Sequence, residues 1–211
     1  MRFAIPAAIA ALGFLASPLA AQEDLSVEEL AALFERQKEA FSEANANPLG
    51  ATRGLKLVTV DDASAAPQTA ATVTADAAQN TTDPNKPLVA QPVVFGQLDP
   101  ELQVNLRITF GFDSAALSEA EKPKLAKMCQ VLQQTDINLV RIVGHTDTSG
   151  SAEYNERLST LRAEEVARHL TESCGIAPER LQTIGMGERF PANQADSRAD
   201  ENRRVEFQAL S

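Results

Sequence analysis

The chain has 211 residues, with 19 Lys and Arg against 29 Asp and Glu and a formal net charge of −10. That length holds one or two domains. The acidity argues against a nucleic-acid binder, which needs a basic face, and against a protein held on anionic lipid by charge alone.

Residues 1–21 read as a secretory signal. Arg2 opens it, Phe3 to Leu15 is apolar, small residues lead to Ala21, and polar Gln22, Glu23 and Asp24 follow. The apolar run falls short of the ~20 residues that a membrane span needs. No Cys stands directly after the expected cleavage point, and no later segment has a span's length. The expected mature chain is therefore exported, with no transmembrane segment and no lipid anchor.

Residues 22–60 are expected to form an N-terminal amphipathic helical segment. Ser26 and Glu29 fit a capping box, and Leu30, Leu33, Phe34 and Phe41 recur at helical spacing. Such a stripe needs a surface to cover it. Its own domain is one candidate; an envelope protein recruited through residues 25–44 is the other. Residues 54–60 alternate like a single strand. From 61 to 97 the composition shifts to Ala, Thr, Asp, Asn and Gln, punctuated by Pro67, Pro84, Pro87 and Pro92. This is expected to be a linker, and thirty residues of coil reach on the order of 30 Å.

Residues 98–211 carry the strong periodic patterns. Residues 105–112 alternate as a strand. Ser118 with Glu121 fits a second capping box, ahead of a helical stripe of Leu125, Met128, Cys129 and Leu132. Residues 139–143 form a strand, Leu158, Leu161, Val166 and Leu170 a second helical stripe, and 181–186 and 204–209 two more strands. The order βαβαββ predicts an α/β two-layer sandwich with both helices on one sheet face. Helices that cross one face in succession are neighbours. Cys129 and Cys174 are therefore expected to form a disulfide in an oxidising compartment.

Candidate chemistry gathers after strand ends, where open α/β sheets bind ligands. Asp113 follows the first strand of this region and Asp147 follows the second. Asn155, Leu158 and Arg162 share a helix face that starts beside Asp147. Asp113, Asp147, Asn155 and Arg162 are thus expected to converge on one edge. A carboxylate beside a guanidinium suits a zwitterion, taking its ammonium and its carboxylate respectively. An enzyme reading would use His145, Asp147 and Ser159, but Ser159 lies inside a helix rather than on an exposed elbow. His145 with scattered carboxylates lacks a metal-ligand pattern. No catalysis, metal or cofactor is expected.

Phe112-Asp113, Gly144-His-Thr-Asp147, Tyr154-Asn155, Leu158-Ser159, Arg162-Ala163, Gly185-Met-Gly-Glu188 and Asn202-Arg-Arg-Val205 stand in an order and spacing that resembles the OmpA-like peptidoglycan-binding domain. That family includes the OmpA C-terminal domain, Pal lipoproteins and MotB-type stator proteins. The resemblance implies non-catalytic binding of cell-wall peptidoglycan through the diaminopimelate of its stem peptide. It implies a periplasmic protein associated with the outer membrane, with the lipid, barrel and transmembrane anchors of the family's other branches not expected here. It assigns Asp147 and Arg162 to the ligand's amino and carboxylate groups, with Phe112, Asp113, Asn155 and Leu158 lining the pocket. Thr148, Ser149, Arg203 and Arg204 are expected at its rim.

Overall fold

The computed structural model describes residues 25–46, 54–59, 94–111 and 114–211. The expected signal at 1–21, the expected linker from 61 to 93, and Phe112 with Asp113 lie outside the described residues.

Helix α1 spans Val27–Ala46. Its capping box forms: the Ser26 N–H donates to Glu29 Oε2 at 2.8 Å, and the Glu29 N–H donates to Ser26 Oγ at 3.2 Å. Leu30 and Phe34 enter the main core, while Ala40, Phe41 and Ala44 pack on Leu55, Leu98 and Leu102. The stripe that offered a face to an envelope partner is thus spent on the chain's own core.

Strands β1 (Leu55–Thr59) and β2 (Val94–Leu98) pair antiparallel as a separate ribbon. The last residues of the expected linker are therefore folded. Phe95 is buried against Val143 and Met186, which explains why this segment is ordered: the ribbon covers the sheet face away from the helices.

The remaining strands are β3 (Val104–Leu106), β4 (Val140–Gly144), β5 (Leu181–Gly185) and β6 (Val205–Ala209). They make a four-stranded sheet in the order β3-β6-β4-β5, with only β4 and β5 parallel. Helices α2 (Lys122–Gln134) and α3 (Ala152–Cys174) share one core with Val104, Ile142, Phe207 and Ala209, as the two-layer pattern predicts.

Three local expectations differ. The strand expected at 105–112 shrinks to β3, because Leu106 pairs with Val205, the first residue of β6, and the chain then has no partner strand. The Ser118–Glu121 capping box does not form; Pro123 stands in the first turn of α2, and the Glu121 carboxylate turns to Lys124 Nζ at 2.6 Å. Leu161 is 53% exposed, since Arg162 and Ala163 face inward at that turn of α3.

Two long-range ties complete the fold. Beyond Phe207 no strand among the described residues lies beside the outer edge of β6. The Gln37 carboxamide takes that place, accepting from the Ala209 N–H at 2.7 Å and donating to the carbonyls of Phe207 at 3.2 Å and Leu102 at 2.6 Å. A buried carboxamide that satisfies main-chain groups makes α1 part of the domain rather than an appendage. The expected disulfide also forms, joining Cys129 of α2 to Cys174 at the end of α3 with a Cα–Cα distance of 5.7 Å. Among the described residues, no helix is long and apolar enough to cross a membrane.

Candidate functional site

The site lies at the end of β4 and the start of α3. Two glycines let the helix approach the strands. A Cβ on Gly144 would stand 2.0 Å from the Ser159 carbonyl oxygen, and one on Gly185 would stand 2.6 Å from that of Glu156. Gly185 is thus a packing glycine of β5. Ser151 caps the helix by accepting from the Tyr154 N–H at 3.2 Å. This places Asn155 and Arg162 beside the Asp147 loop.

Asp147 is buried and held at three points. The Arg203 Nη1 donates to Oδ2 at 2.7 Å, the Ser149 N–H donates to Oδ1 at 2.8 Å, and the Asn155 Nδ2 donates to the Asp147 carbonyl at 3.2 Å. Burial by itself raises the Asp147 pKa. The bonds from Arg203 and Ser149 outweigh it and hold the carboxyl below its ordinary value.

Arg162 is buried as well, and burial pulls its guanidinium below the ordinary value. Nε donates to the Ser114 carbonyl at 3.3 Å, and the guanidinium carbon lies 4.8 Å from the centre of the Phe110 ring. At that distance the charge is attracted by the ring face. Its two Nη atoms have no hydrogen-bond partner among the described residues. Asp147 and Arg162 feel each other's charge but form no ion pair; the partner of Asp147 is Arg203.

The other expected residues divide. Asn155 bridges the Asp147 carbonyl to Glu188 Oε2 at 2.6 Å, and Leu158 is half-buried one turn further on. Thr148 is tied to Ser197 through its N–H at 3.1 Å and its hydroxyl at 3.0 Å. Ser149 contributes its N–H. Arg203, expected at the rim, reaches Asp147 itself. Arg204 is not at the rim: it is 4% exposed on the sheet's other side, where Nε donates to Asn105 Oδ1 at 3.0 Å and Nη2 to the Phe190 carbonyl at 3.2 Å. Phe110, Ser114 and Glu188 join the site without having been singled out as site residues. Each carried a sequence cue: Glu188 its place in the Gly185–Glu188 motif, and Phe110 and Ser114 their places on either side of Phe112-Asp113.

The Asn202-Arg-Arg motif now has a physical reading. Asn202 is fully buried; its side chain accepts from the Asn193 N–H at 2.8 Å and donates to the carbonyls of Asn193 and Asp196 at 3.3 Å and 3.0 Å. It pins the loop that carries Ser197 and Asp200. Arg203 then turns to Asp147, and Arg204 turns into the interior.

A triad does not assemble. The Ser159 hydroxyl is buried, donating to the Glu156 carbonyl at 2.8 Å and accepting from the Gly187 N–H at 2.9 Å. His145 Nε2 lies 3.2 Å from Glu206 Oε2. A cleft of about 770 Å³ opens beyond Arg204 on the far face of the sheet, and neither Asp147 nor Arg162 lines it. The converging charged groups mark the site better than that volume does.

Burial, helped by the nearby Arg204 charge, pushes the His145 imidazole down to about 4 against the pull of Glu206. The unfolded chain protonates this ring near its ordinary 6.5. Stability from the neutral ring is complete above that pH and is lost as pH falls toward 4. At about 1.4 kcal/mol per pH unit, the expected loss is about 3 kcal/mol. Urea unfolding at pH 7 and pH 4 should show this acid sensitivity, smaller by that amount in His145→Gln. Equal sensitivity in both proteins would refute the assignment to His145.

Residues 109–204 match the model of the OmpA family. The outer-membrane lipoprotein YfiB of Pseudomonas aeruginosa is 35% identical over 107 residues, covering 50% of this chain and 63% of that protein. Outer membrane protein Omp38 of Acinetobacter baumannii is 32% identical over 117 residues, covering 56% of this chain and 32% of that protein. The peptidoglycan-associated lipoprotein of Legionella pneumophila is 34% identical over 100 residues, covering 46% of this chain and 56% of that protein. The chain therefore spans between about a third and somewhat under two thirds of these relatives.

Proposed function

The chain carries an OmpA-like domain, and from that premise we propose that it is an exported envelope protein that binds peptidoglycan without catalysis. The ligand is the diaminopimelate of the stem peptide. The observation that carries the reading is a buried, ionised carboxylate near a guanidinium whose terminal nitrogens have no hydrogen-bond partner among the described residues, both at one sheet end. Asp147 receives the ligand's ammonium at the oxygen lone pairs left by Arg203 and Ser149. Arg162 receives its carboxylate through its two Nη atoms. The family resemblance assigns Phe112 and Asp113 to the same ligand. The names of the Legionella and Pseudomonas relatives, peptidoglycan-associated and outer-membrane, support a periplasmic site of action. No reacting group is required of the protein, and Ser159 and His145 are committed to internal partners.

Co-sedimentation with purified diaminopimelate-type sacculi tests the proposal. Wild type should pellet with the sacculi. Asp147→Ala and Arg162→Ala should each remain in the supernatant, because losing one charge partner of a buried pair weakens a complex by about a hundredfold. A thermal melt of each variant separates lost binding from lost folding. Equal pelleting of all three folded proteins would overturn the assignment.

A further inference from the structure

The Asp147 carboxylate does not stand alone in the site. One oxygen is already taken by Arg203, whose other terminal nitrogen, Nη2, is bonded to Asp200 Oδ1 at 2.6 Å. Arg203 is therefore held at both ends of its fork. Its side chain is 40% exposed, whereas that of Asp147 is 9% exposed. An isolated surface ion pair contributes little, but this one differs in two ways. The acceptor is buried, and the donor is mounted on a loop that the buried Asn202 pins at three hydrogen bonds. The side-chain entropy of Arg203 is spent once for two charge-assisted bonds.

We propose that Arg203 is the positioning residue of this site: braced against Asp200, it fixes the Asp147 carboxylate in the orientation that receives a ligand's ammonium. The role rests on the peptidoglycan reading only for the ligand's identity. Three features support positioning over direct contact. Arg203 reaches the site through Asp147 and Asp200. The Ser149 N–H holds the second oxygen, so the carboxylate is locked about its terminal torsion. Asn155 holds the backbone of the same residue, so neither end of Asp147 is free to turn. A ligand thus meets a preorganised acceptor and need not order it.

The charges that face Asp147 are Arg203, with Asp200 behind it, Arg162 from α3, and Glu188, which reaches it through Asn155. Removing Arg203 leaves the carboxylate with the Ser149 N–H and the more distant Arg162. Its pKa should then rise, and binding should weaken from the acid side first. A residue that merely stabilised the loop would not move that titration.

The test uses the full chain as wild type, Arg203→Gln, Arg203→Lys and Asp147→Ala. The Asp147 carboxyl carbon is followed by NMR through a pH titration without ligand. Calorimetry then measures binding of a soluble stem tripeptide ending in meso-diaminopimelate at pH 7 and pH 5. In Arg203→Gln the Asp147 titration should shift to higher pH, and affinity at pH 7 should fall about tenfold, the worth of one charged hydrogen bond. The deficit should widen at pH 5, and Arg203→Lys should recover most of both. Tighter binding in Arg203→Gln would make Arg203 a competitor of the ligand, and an unmoved titration with lost binding would make it a direct contact. Either result overturns the proposal. Wild-type affinity in Asp147→Ala would instead sink the functional reading, while the ligand-free titration still decides the role of Arg203.

Discussion

Glu206→Ala should destabilise the protein by about 3–5 kcal/mol, the usual cost of removing one partner from a buried ion pair. Glu206 is 1% exposed on β6 and faces the sheet side covered by the β1–β2 ribbon. It accepts from Gln208 Nε2 at 2.8 Å, lies 3.2 Å from His145 Nε2, and stands 3.8 Å from the Arg204 guanidinium. Arg204 is itself almost fully buried, with Nη1 already lacking a hydrogen-bond partner among the described residues. Without Glu206 its charge would face no carboxylate there. Desolvation raises the Glu206 carboxyl, but His145 and Arg204 more than offset it and hold it below its ordinary value. The pair therefore contributes stability above the ordinary carboxylate pKa that is lost on acidification. Urea unfolding at pH 7 measures the effect. The double variant Arg204→Leu with Glu206→Leu should cost less than the two single changes summed, because it strands no charge. A loss below about 1 kcal/mol in Glu206→Ala would mean that Arg204 finds another counter-charge, and the network reading would fail.

Breaking the Cys129–Cys174 bond should cost about 4 kcal/mol by the loop-entropy estimate. The two cysteines are separated by 45 residues, and the closed loop contains β4 and all of α3. In the unfolded chain that loop is constrained only by the bond, so its removal adds conformations to the unfolded state alone. A Cys129→Ala, Cys174→Ala protein should unfold at correspondingly lower urea with its native contacts otherwise intact. Cys129 lies in the main core, so a serine pair would add a polar burial cost to the entropy cost. A midpoint unchanged from wild type would show that the bond does not constrain the unfolded chain.

The two predictions draw on different kinds of information. The disulfide was legible from the residues: helical stripes placed Cys129 and Cys174 on neighbouring helices. The same periodicities marked α1, α2, α3, β4, β5 and β6, because each pattern is written within one segment. The Ser26–Glu29 capping box was legible for the same reason, since its partners are three residues apart. Where a local pattern was contradicted, a neighbour decided. Residues 107–111 alternate, yet β6 supplies them with no partner. Leu161 sits at helical spacing, yet Arg162 and Ala163 take the inward positions at that turn.

The sequence by itself thus determined the sandwich order and the disulfide, and it singled out the carboxylate and guanidinium on which the proposed site rests. Tertiary structure alone decided who holds them. Asp147 and Arg203 are 56 residues apart, and Gln37 is 172 residues from Ala209. No spacing rule joins such pairs, because a hydrogen bond depends on where two segments meet and not on the pattern inside either one. The same holds for the two adjacent arginines. Arg203 turns to Asp147 and Arg204 to Asn105 because neighbouring residues at the start of a strand point to opposite faces. Which face held the site was decided only when α3 packed against Gly144 and Gly185.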